Sequence, residues 1–289
     1  MGGKMKKTAV LLLSTPMPLA RKGVVAAISQ FLIAHNGSVL HSDDHLDGGR
    51  DLFLSRLEWD LDGFDIPISD FEDHFKPVAE RFQINYHLAL TDFRPKIAIL
   101  VSAYDHCLAD VLYRHSTGEL LCDIVMIISN HVTAKSLADF YHIPFHLLTN
   151  PKDKRESERE ILELLGQNVD LIVLARYMQI LGPDFVAQYL LRMINIHHSF
   201  LPAFVGAKPY HQAFDRGVKL IGATSHYVTA TLDEGPIIEQ DVVRVSHRDS
   251  VEEMVRKGRD LEKVVLSRAV RWHLENRILV YQNKTVVFV

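Results

Sequence analysis

Short, fully apolar segments alternate with amphipathic helical segments from residue 97 onward, and this alternation restricts the possible folds more than any other feature of the sequence. The apolar segments have the length of strands and lie at 97–101, 124–128 and 171–174, and a further strand is predicted at 145–148, where His146 is the one polar residue. Strands that lack polar positions are buried on both faces, which requires helices on both sides of a mostly parallel sheet. This part of the chain is therefore predicted to form an α/β domain with a mostly parallel sheet.

The N-terminal part of the sequence follows a different order. Strands are predicted at 8–14, 38–44, 52–60 and 85–91, and helices at 23–34 and 70–80. The order strand–helix–strand–strand–helix–strand over roughly 85 residues is typical of a ferredoxin-like α+β domain. A proline and three charged residues at 91–96 indicate a linker. The predicted domains are therefore 7–92 and 96–289.

Composition excludes several classes of protein. Lys and Arg number 32 and Asp and Glu 36, so the net charge of −4 gives no basic surface for nucleic acid or an anionic membrane. The two cysteines, Cys107 and Cys122, cannot form a disulfide framework. No apolar segment is long enough to span a bilayer, and no signal peptide is evident. We expect a cytoplasmic protein with no nucleic-acid or membrane partner.

A polar cluster lies at the end of a strand predicted at 193–196, where the chain enters a loop predicted at 200–210. Alternation along the strand puts Asn195 and His197 on one side. In an open α/β sheet, ligands bind beyond the carboxyl ends of the strands. An amide and an imidazole there can polarise a carbonyl oxygen, and Asp233 could hold the imidazole in its charged form. A purely structural histidine has the same spacing, so both interpretations stay open.

Two further segments have a possible chemical role. Residues 175–181 follow the strand at 171–174 and could line a pocket for a flat heterocycle, although a packed strand-to-helix connection is the alternative. His41, Asp43 and His45 could share one face of a strand, but no further ligands are evident, and we interpret them as a solvated strand end. We predict neither a metal nor a cofactor.

Three motifs resemble the formyltetrahydrofolate-dependent formyltransferase family. They are NIHHSFLPAF at 195–204, followed closely by Gly-Ala and Pro-Tyr pairs, GATSHYV at 222–228, and LDEGPII at 232–238. The resemblance spans about 190 residues, 96–289, and is strongest to the deformylase branch, whose members carry an ACT domain in front. It implies a Rossmann-like formyltransferase domain behind an N-terminal ferredoxin-like ACT domain.

The resemblance also implies a reaction and a site. The reaction is hydrolysis of 10-formyltetrahydrofolate to formate and tetrahydrofolate, which supplies formate for purine synthesis and balances the one-carbon folate pools. The implied catalytic residues are Asn195, His197 and Asp233. The implied substrate-binding residues, which hold the folate by its pterin, are Arg176, Tyr177, Met178, Gln179, Ile180, Leu181 and Thr229.

Two alternatives remain. Formyl transfer to an amine such as glycinamide ribonucleotide would require a phosphate loop, but VSAYDHC at 101–107 has no glycine and contains Asp105. The other alternative is an amino-acid-sensing regulator with an inactive second domain, and the intact catalytic set disfavours it.

The ACT resemblance implies an amino-acid effector and a homo-oligomer, although Ala20-Arg21 stands where an Asp-Arg pair is usual. The roles of His198, Ser199 and His226 stay open, as does whether Met1–Lys4 are native.

Overall fold

The protein is described by a computed structural model that covers residues 7–203 and 209–289. These residues divide into two compact units. The first unit contains the chain up to Arg94 together with Glu275–Tyr281 and Val286–Val289, and the second unit contains Pro95–Leu274 and Gln282–Thr285. The predicted ranges 7–92 and 96–289 differ from this division at the C-terminal end, where two short segments belong to the first unit. Residues 1–4, which the sequence left in question, lie outside the described residues.

The first unit is built on an antiparallel sheet. Its elements are β1 (Thr8–Pro16), α1 (Met17–Ala20), α2 (Val24–Ala34), β2 (Ser38–Asp47), β3 (Leu52–Asp60), α3 (Phe71–Phe82) and β4 (Asn85–Leu90). The strands lie in the order β2-β3-β1-β4, and each neighbouring pair is antiparallel. The order of strands and long helices is the predicted one. The short helix α1 occupies the place where prolines at 16 and 18 indicated a loop, because a proline in the first turn of a helix is tolerated.

Aromatic side chains form the centre of this unit. Phe71 and Phe75 lie one turn apart on α3 and are both fully buried. The Phe71 ring stacks on that of Trp59 at 5.6 Å, and its edge contacts Phe31 of α2 at 5.7 Å. The apolar stripe that predicted the helix is therefore the surface that packs on the sheet.

The second unit is the α/β domain that the alternation predicted. Its elements are β5 (Lys96–Val101), α4 (His106–Ser116), β6 (Asp123–Ser129), α5 (Lys135–Phe140), β7 (Phe145–Leu147), α6 (Lys154–Leu165), β8 (Leu171–Leu174), α7 (Pro183–Gln188), β9 (Met193–His197), α8 (Pro209–Arg216), β10 (Leu220–Tyr227), β11 (Ile237–Arg244) and α9 (Val251–Leu274). The sheet order in the described residues is β11-β10-β9-β8-β5-β6-β7. From β9 to β7 every pair is parallel, and β10 is antiparallel to both neighbours, so the mostly parallel sheet is confirmed.

The strand order reverses between β5 and β8, since the chain builds β6 and β7 on one side and β8 and β9 on the other. Such a reversal opens a crevice at the carboxyl ends of the strands. The two strand ends are tied together there, because Ser102 N–H donates to the Arg176 carbonyl at 3.2 Å and Met178 N–H donates to Ser102 Oγ at 3.0 Å. The topology therefore places the predicted site at a crevice whose backbone is held by hydrogen bonds.

Two elements of the second unit were not predicted. A loop was expected at 200–210, but α8 begins at Pro209; residues 204–208 of that segment lie outside the described residues. β11 carries polar residues along much of its length because it is the edge strand of the sheet, so its sequence lacks an apolar run. The sequence predicts a hairpin of strands at 278–282 and 285–289, and the structure has one formed by β12 (Ile278–Tyr281) and β13 (Lys284–Val287). In the described residues, no helix is both long and apolar enough to cross a membrane.

Candidate active site

A cavity of about 460 Å³ lies at the carboxyl ends of β8 and β9. One wall comes from the segment that follows β8, and the other comes from the strand β9 and the turn after β10. All of the residues that the sequence analysis assigned to catalysis or substrate binding line this cavity, namely Arg176, Tyr177, Met178, Gln179, Ile180, Leu181, Asn195, His197, Thr229 and Asp233. The structure thus brings together residues from three separate stretches of chain.

The strand pair β9–β10 positions the amide and two imidazoles. Asn195 and His197 are two residues apart on β9, so their side chains lie on the same face. His226 of β10 is the cross-strand partner of Asn195 in this antiparallel pair. Side chains directly opposite each other on one face of a sheet come into contact. The register therefore adds His226, whose role was left open, to the site.

A hydrogen-bond chain orients the amide of Asn195. His226 Nδ1 is 2.9 Å from the carbonyl oxygen of Tyr227, which can only accept, so this nitrogen carries the proton of the neutral ring. His226 Nε2 then accepts from Asn195 Nδ2 at 3.2 Å. This contact fixes which end of the amide is the donor and leaves its second N–H for another acceptor.

The carboxylate of Asp233 lies between two histidines. Its Oδ2 is 3.2 Å from His197 Nδ1, and its Oδ1 is 3.6 Å from His226 Nε2. Burial of the carboxyl favours its neutral form, but the neighbouring His197 ring stabilises the ionised form more strongly, and the pKa of Asp233 lies well below its usual value. His197 Nε2 is buried and has no hydrogen-bond partner among the described residues. One nitrogen of His197 is therefore held by Asp233, and the other is available to a ligand.

The turn that carries Asp233 packs tightly against β10. Asp233 has a left-handed backbone with φ of 57°, which aspartate tolerates better than most residues. Gly235 follows two residues later, and a Cβ atom there would lie 1.7 Å from the carbonyl oxygen of Tyr227. The Asn283 amide also donates to the Glu234 carbonyl at 2.8 Å. The absence of a side chain at Gly235 therefore permits the approach that brings Asp233 to the histidines.

Gly235→Ala is expected to destabilise the protein by about 1–3 kcal/mol or more, because an added methyl group must displace backbone in a packed region. It should also reduce activity, since Asp233 would move with the turn. Urea unfolding and a rate assay measure the two effects. Gly48→Ala is the matched control, because no atom lies within 4 Å of a Cβ at that position. Equal stability of the two variants would contradict this account of the turn.

His198 follows the strand and lines the same cavity. Burial lowers the pKa of its imidazole, and the positive charge of Arg176 lowers it further, to about 4 from 6.5. A histidine with this pKa is neutral in the folded protein at neutral pH. His198 therefore offers an uncharged ring in the same cavity as the ionised Asp233.

The low pKa of His198 predicts a loss of stability on acidification. In the unfolded chain His198 binds a proton near pH 6.5, whereas in the folded protein it does so near pH 4. Above pH 6.5 His198 is neutral in both the unfolded and the folded protein and costs no stability. As the pH decreases from about 6.5 to about 4, the free energy of unfolding falls by up to about 3 kcal/mol. His198→Asn should flatten the decrease in urea unfolding experiments, and the exposed His247→Asn should not. An unchanged slope in His198→Asn would contradict the prediction.

The sequence analysis did not identify a buried ionic group that adjoins this cavity. Glu262 of α9 is 1% exposed, and its Oε2 is 2.7 Å from His106 Nε2 and 3.4 Å from Arg176 Nε. A signal was available, because Glu262 lies on the apolar face of α9, one turn from Gly258 and from Leu266. An acid in such a position requires a buried partner.

Metal binding is not indicated by this group. His106, Cys107 and Glu262 have potential ligand atoms within 4.8 Å of one another, but Arg176 supplies a positive charge to the same carboxylate. His41 and His45 lie on the exposed strand β2 and belong to no cluster of potential metal ligands in the described residues. The prediction that no metal takes part stays a prediction.

Comparison with known proteins identifies the class of protein to which this fold belongs. Residues 95–270 match the family model described as formyl transferase, so the second unit has the formyl transferase fold. The chain is 54% identical over 283 residues to a formyltetrahydrofolate deformylase from Synechocystis sp., covering 97% of this chain and 98% of that protein. It is 50% identical to the deformylase of Bacillus subtilis, covering 96% and 93%. A deformylase crystal structure from Pseudomonas syringae pv. tomato has a TM-score of 0.94 and 48% identity, covering 99% of this chain and 96% of that chain. This chain belongs to the formyltetrahydrofolate deformylase family.

Proposed function

We propose that this protein hydrolyses 10-formyltetrahydrofolate to formate and tetrahydrofolate, with Asn195, His197 and Asp233 as the catalytic residues. The observation that carries the proposal is the meeting of an amide, an imidazole and an ionised carboxylate at one cavity. Membership of the deformylase family supports the substrate and the reaction.

The three side chains supply the groups that the reaction requires. A water molecule adds to the formyl carbon, and the oxygen of the formyl group gains negative charge. The free N–H of Asn195 stabilises this oxyanion by hydrogen bonding, and the charged His197 contributes to the same stabilisation. The bond from the formyl carbon to the folate nitrogen then breaks, and that nitrogen takes a proton.

The geometry suggests the route of the proton. Asp233 remains ionised because His197 stabilises its charge, so it is able to orient the water and to take its proton as the water adds to the formyl carbon. We infer that the charged His197 gives its proton to the leaving nitrogen and then takes from Asp233 the proton that came from the water, because a carboxylate with such a low pKa does not retain a proton. The second proton of the water is released to solvent when formic acid ionises. The net products are tetrahydrofolate, formate and one proton.

The cavity also has the surface that a folate ring requires. Met178, Ile180 and Leu232 line it and are 51%, 60% and 54% exposed. Exposed apolar side chains around one opening are typical of a ligand site. We propose that the pterin lies against Arg176–Leu181, where backbone groups read its polar edge, with Thr229 in the opposite wall.

The loop after β5 favours water as the acceptor. Ser102 takes part in two hydrogen bonds with the segment after β8, and no glycine is present at 101–107 to let a phosphate approach the backbone. Asp105 lies at the first turn of α4, where a negative charge repels a phosphate. Formate release from 10-formyltetrahydrofolate without any amine tests the proposal. Product formation only after glycinamide ribonucleotide is added would favour a transferase instead.

We infer that the first unit is an ACT-like regulatory domain. The strand order β2-β3-β1-β4 with two long helices supports a ferredoxin-like arrangement. An amino-acid effector and a homo-oligomer follow from this inference; sedimentation and titration with amino acids test them. A monomer that binds no amino acid would contradict both. The cytoplasmic location and the absence of a cofactor or nucleic-acid partner stay predictions.

A further inference from the structure

Arg176 occupies a position that is costly for an arginine. It directly follows the turn out of β8 and has a left-handed backbone with φ of 64°, a conformation that glycine adopts more readily. Its side chain is 8% exposed, yet it lines the cavity that holds the catalytic residues. Strained residues of this kind are concentrated at functional sites.

The guanidinium of Arg176 has a counterion, but two of its three nitrogens have no hydrogen-bond acceptor among the described residues. Its Nε is 3.4 Å from Glu262 Oε2, yet neither Nε nor Nη1 makes a hydrogen bond to any described residue. The oxygens of Glu262 are already engaged, because Oε2 is 2.7 Å from His106 Nε2 and Oε1 accepts from the Tyr210 hydroxyl at 2.6 Å. Buried donors without acceptors are costly, so this side chain is suited to a ligand that brings acceptor oxygens.

We propose that Arg176 forms a formate subsite, in which its guanidinium binds the carboxylate product of the reaction. This inference rests on the proposed function for the identity of the ligand. Hydrolysis converts a neutral formyl group into an anion inside a cavity that already contains the negative charge of Asp233. Arg176 is the one lysine or arginine among the described residues that line this cavity. A guanidinium presents parallel N–H groups that match the two oxygens of a carboxylate.

The proposed subsite has a consequence for turnover. Formate that is bound by Arg176 does not occupy the position between Asn195, His197 and Asp233, so the reverse reaction is disfavoured. The same contact should make added formate a product inhibitor that competes for the cavity. Larger carboxylates such as acetate should bind more weakly, because the guanidinium lies in a confined, buried position.

Direct titration of the full chain with ¹³C-labelled formate, followed by NMR, tests the subsite without using activity. Wild-type protein should bind formate saturably, and Arg176→Gln should weaken that binding about tenfold or more, since a charged hydrogen-bonding partner is lost. Arg159→Gln is the matched control, because that arginine is 72% exposed. Absence of saturable binding to wild type, or equal binding by Arg176→Gln, would overturn the proposal.

Removal of Arg176 alone takes a positive charge away from the buried carboxylate of Glu262 and is expected to destabilise the protein. The variant Glu262→Gln and the double variant Arg176→Gln/Glu262→Gln form a second comparison in which no lone buried carboxylate remains. Glu262→Gln should bind formate at least as tightly as wild type, because a competing negative charge is gone, and the double variant should again bind about tenfold more weakly. Equal affinities in these two variants would overturn the subsite.

The outcomes separate this inference from the proposed function. Hydrolysis by wild type combined with formate binding that is independent of Arg176 would overturn the subsite and leave the proposed function intact. Formate binding that depends on Arg176 in a protein that releases no formate from 10-formyltetrahydrofolate would support the subsite and contradict the proposed function.

Discussion

Asp233→Asn is expected to lower the rate of formate release by about 10²–10⁴-fold, near the upper end of this range. The substitution keeps the shape of the side chain but removes its negative charge. The amide cannot accept the proton of the attacking water, and it no longer favours the charged form of His197, whose Nδ1 lies 3.2 Å from Asp233 Oδ2. Two catalytic contributions are lost in one step, which is why we expect the largest effect here. Single-turnover measurement of formate release from 10-formyltetrahydrofolate gives the rate of the chemical step.

Two measurements separate chemistry from folding in this experiment. Asp139→Asn is the control, because that aspartate is 59% exposed and pairs with Lys135 on the surface of the same unit. Urea unfolding at neutral pH shows whether the variant at Asp233 is folded under assay conditions. A folded Asp233→Asn protein that retains a rate within a few fold of wild type would show that another group activates the water.

Much of the second unit follows from local sequence. The strand β8 (Leu171–Leu174) has the predicted bounds because it is a fully apolar segment, and the helix α9 (Val251–Leu274) coincides with a helix that the sequence predicts at 251–274. In contrast, α8 has only eight residues, which is too short for a helical period to stand out. β11 is an edge strand with polar positions, and burial does not select apolar residues along it. The two elements that were missed, α8 and β11, are thus a short helix and a half-exposed edge strand.

The site was predictable to the extent that its residues share a strand. Alternation along β9 places Asn195 and His197 on one face whatever the rest of the fold does. The residue types alone made Asp233 a possible partner of His197, and the resemblance of a motif assigned it to the catalytic set, since no local rule relates a turn to a strand in a distant part of the sequence. His226 contacts Asn195 through the register of β9 and β10, and the connection between those strands includes α8 rather than a tight turn that would fix the register.

The pairing of Glu262 with Arg176 could not be predicted from the sequence, for a different reason. The apolar face of α9 shows that Glu262 is buried, but its partners are decided by how α9 packs against α4 and the sheet. Segment 175–181 was expected to line a pocket, and nothing in its sequence indicates that the Arg176 side chain is buried with two nitrogens that have no acceptor among the described residues. Charge pairing between distant elements is a property of tertiary packing.

Asn195→Ala is expected to reduce the rate of formate release by about 100- to 1000-fold, equivalent to about 2.7–4 kcal/mol of transition-state stabilisation. The amide donates one N–H to His226 Nε2 at 3.2 Å, and the second N–H is free to stabilise the oxyanion. Because the oxyanion exists only as the reaction proceeds, the loss should appear in kcat, with little change in KM. Steady-state kinetics with 10-formyltetrahydrofolate measure both quantities.

His226→Ala provides the comparison that assigns this effect to an oriented amide. Without His226 the Asn195 side chain remains but loses the acceptor that fixes its direction, so we expect a smaller loss in kcat than in Asn195→Ala. In the double variant the second substitution should add little, because residues that act as a unit are not additive. Asn168→Ala, at an exposed position, is the control for the loss of an amide elsewhere. Full additivity of the two single effects would mean that His226 acts on the reaction independently, through its contact with Asp233, and would contradict its role in orienting Asn195.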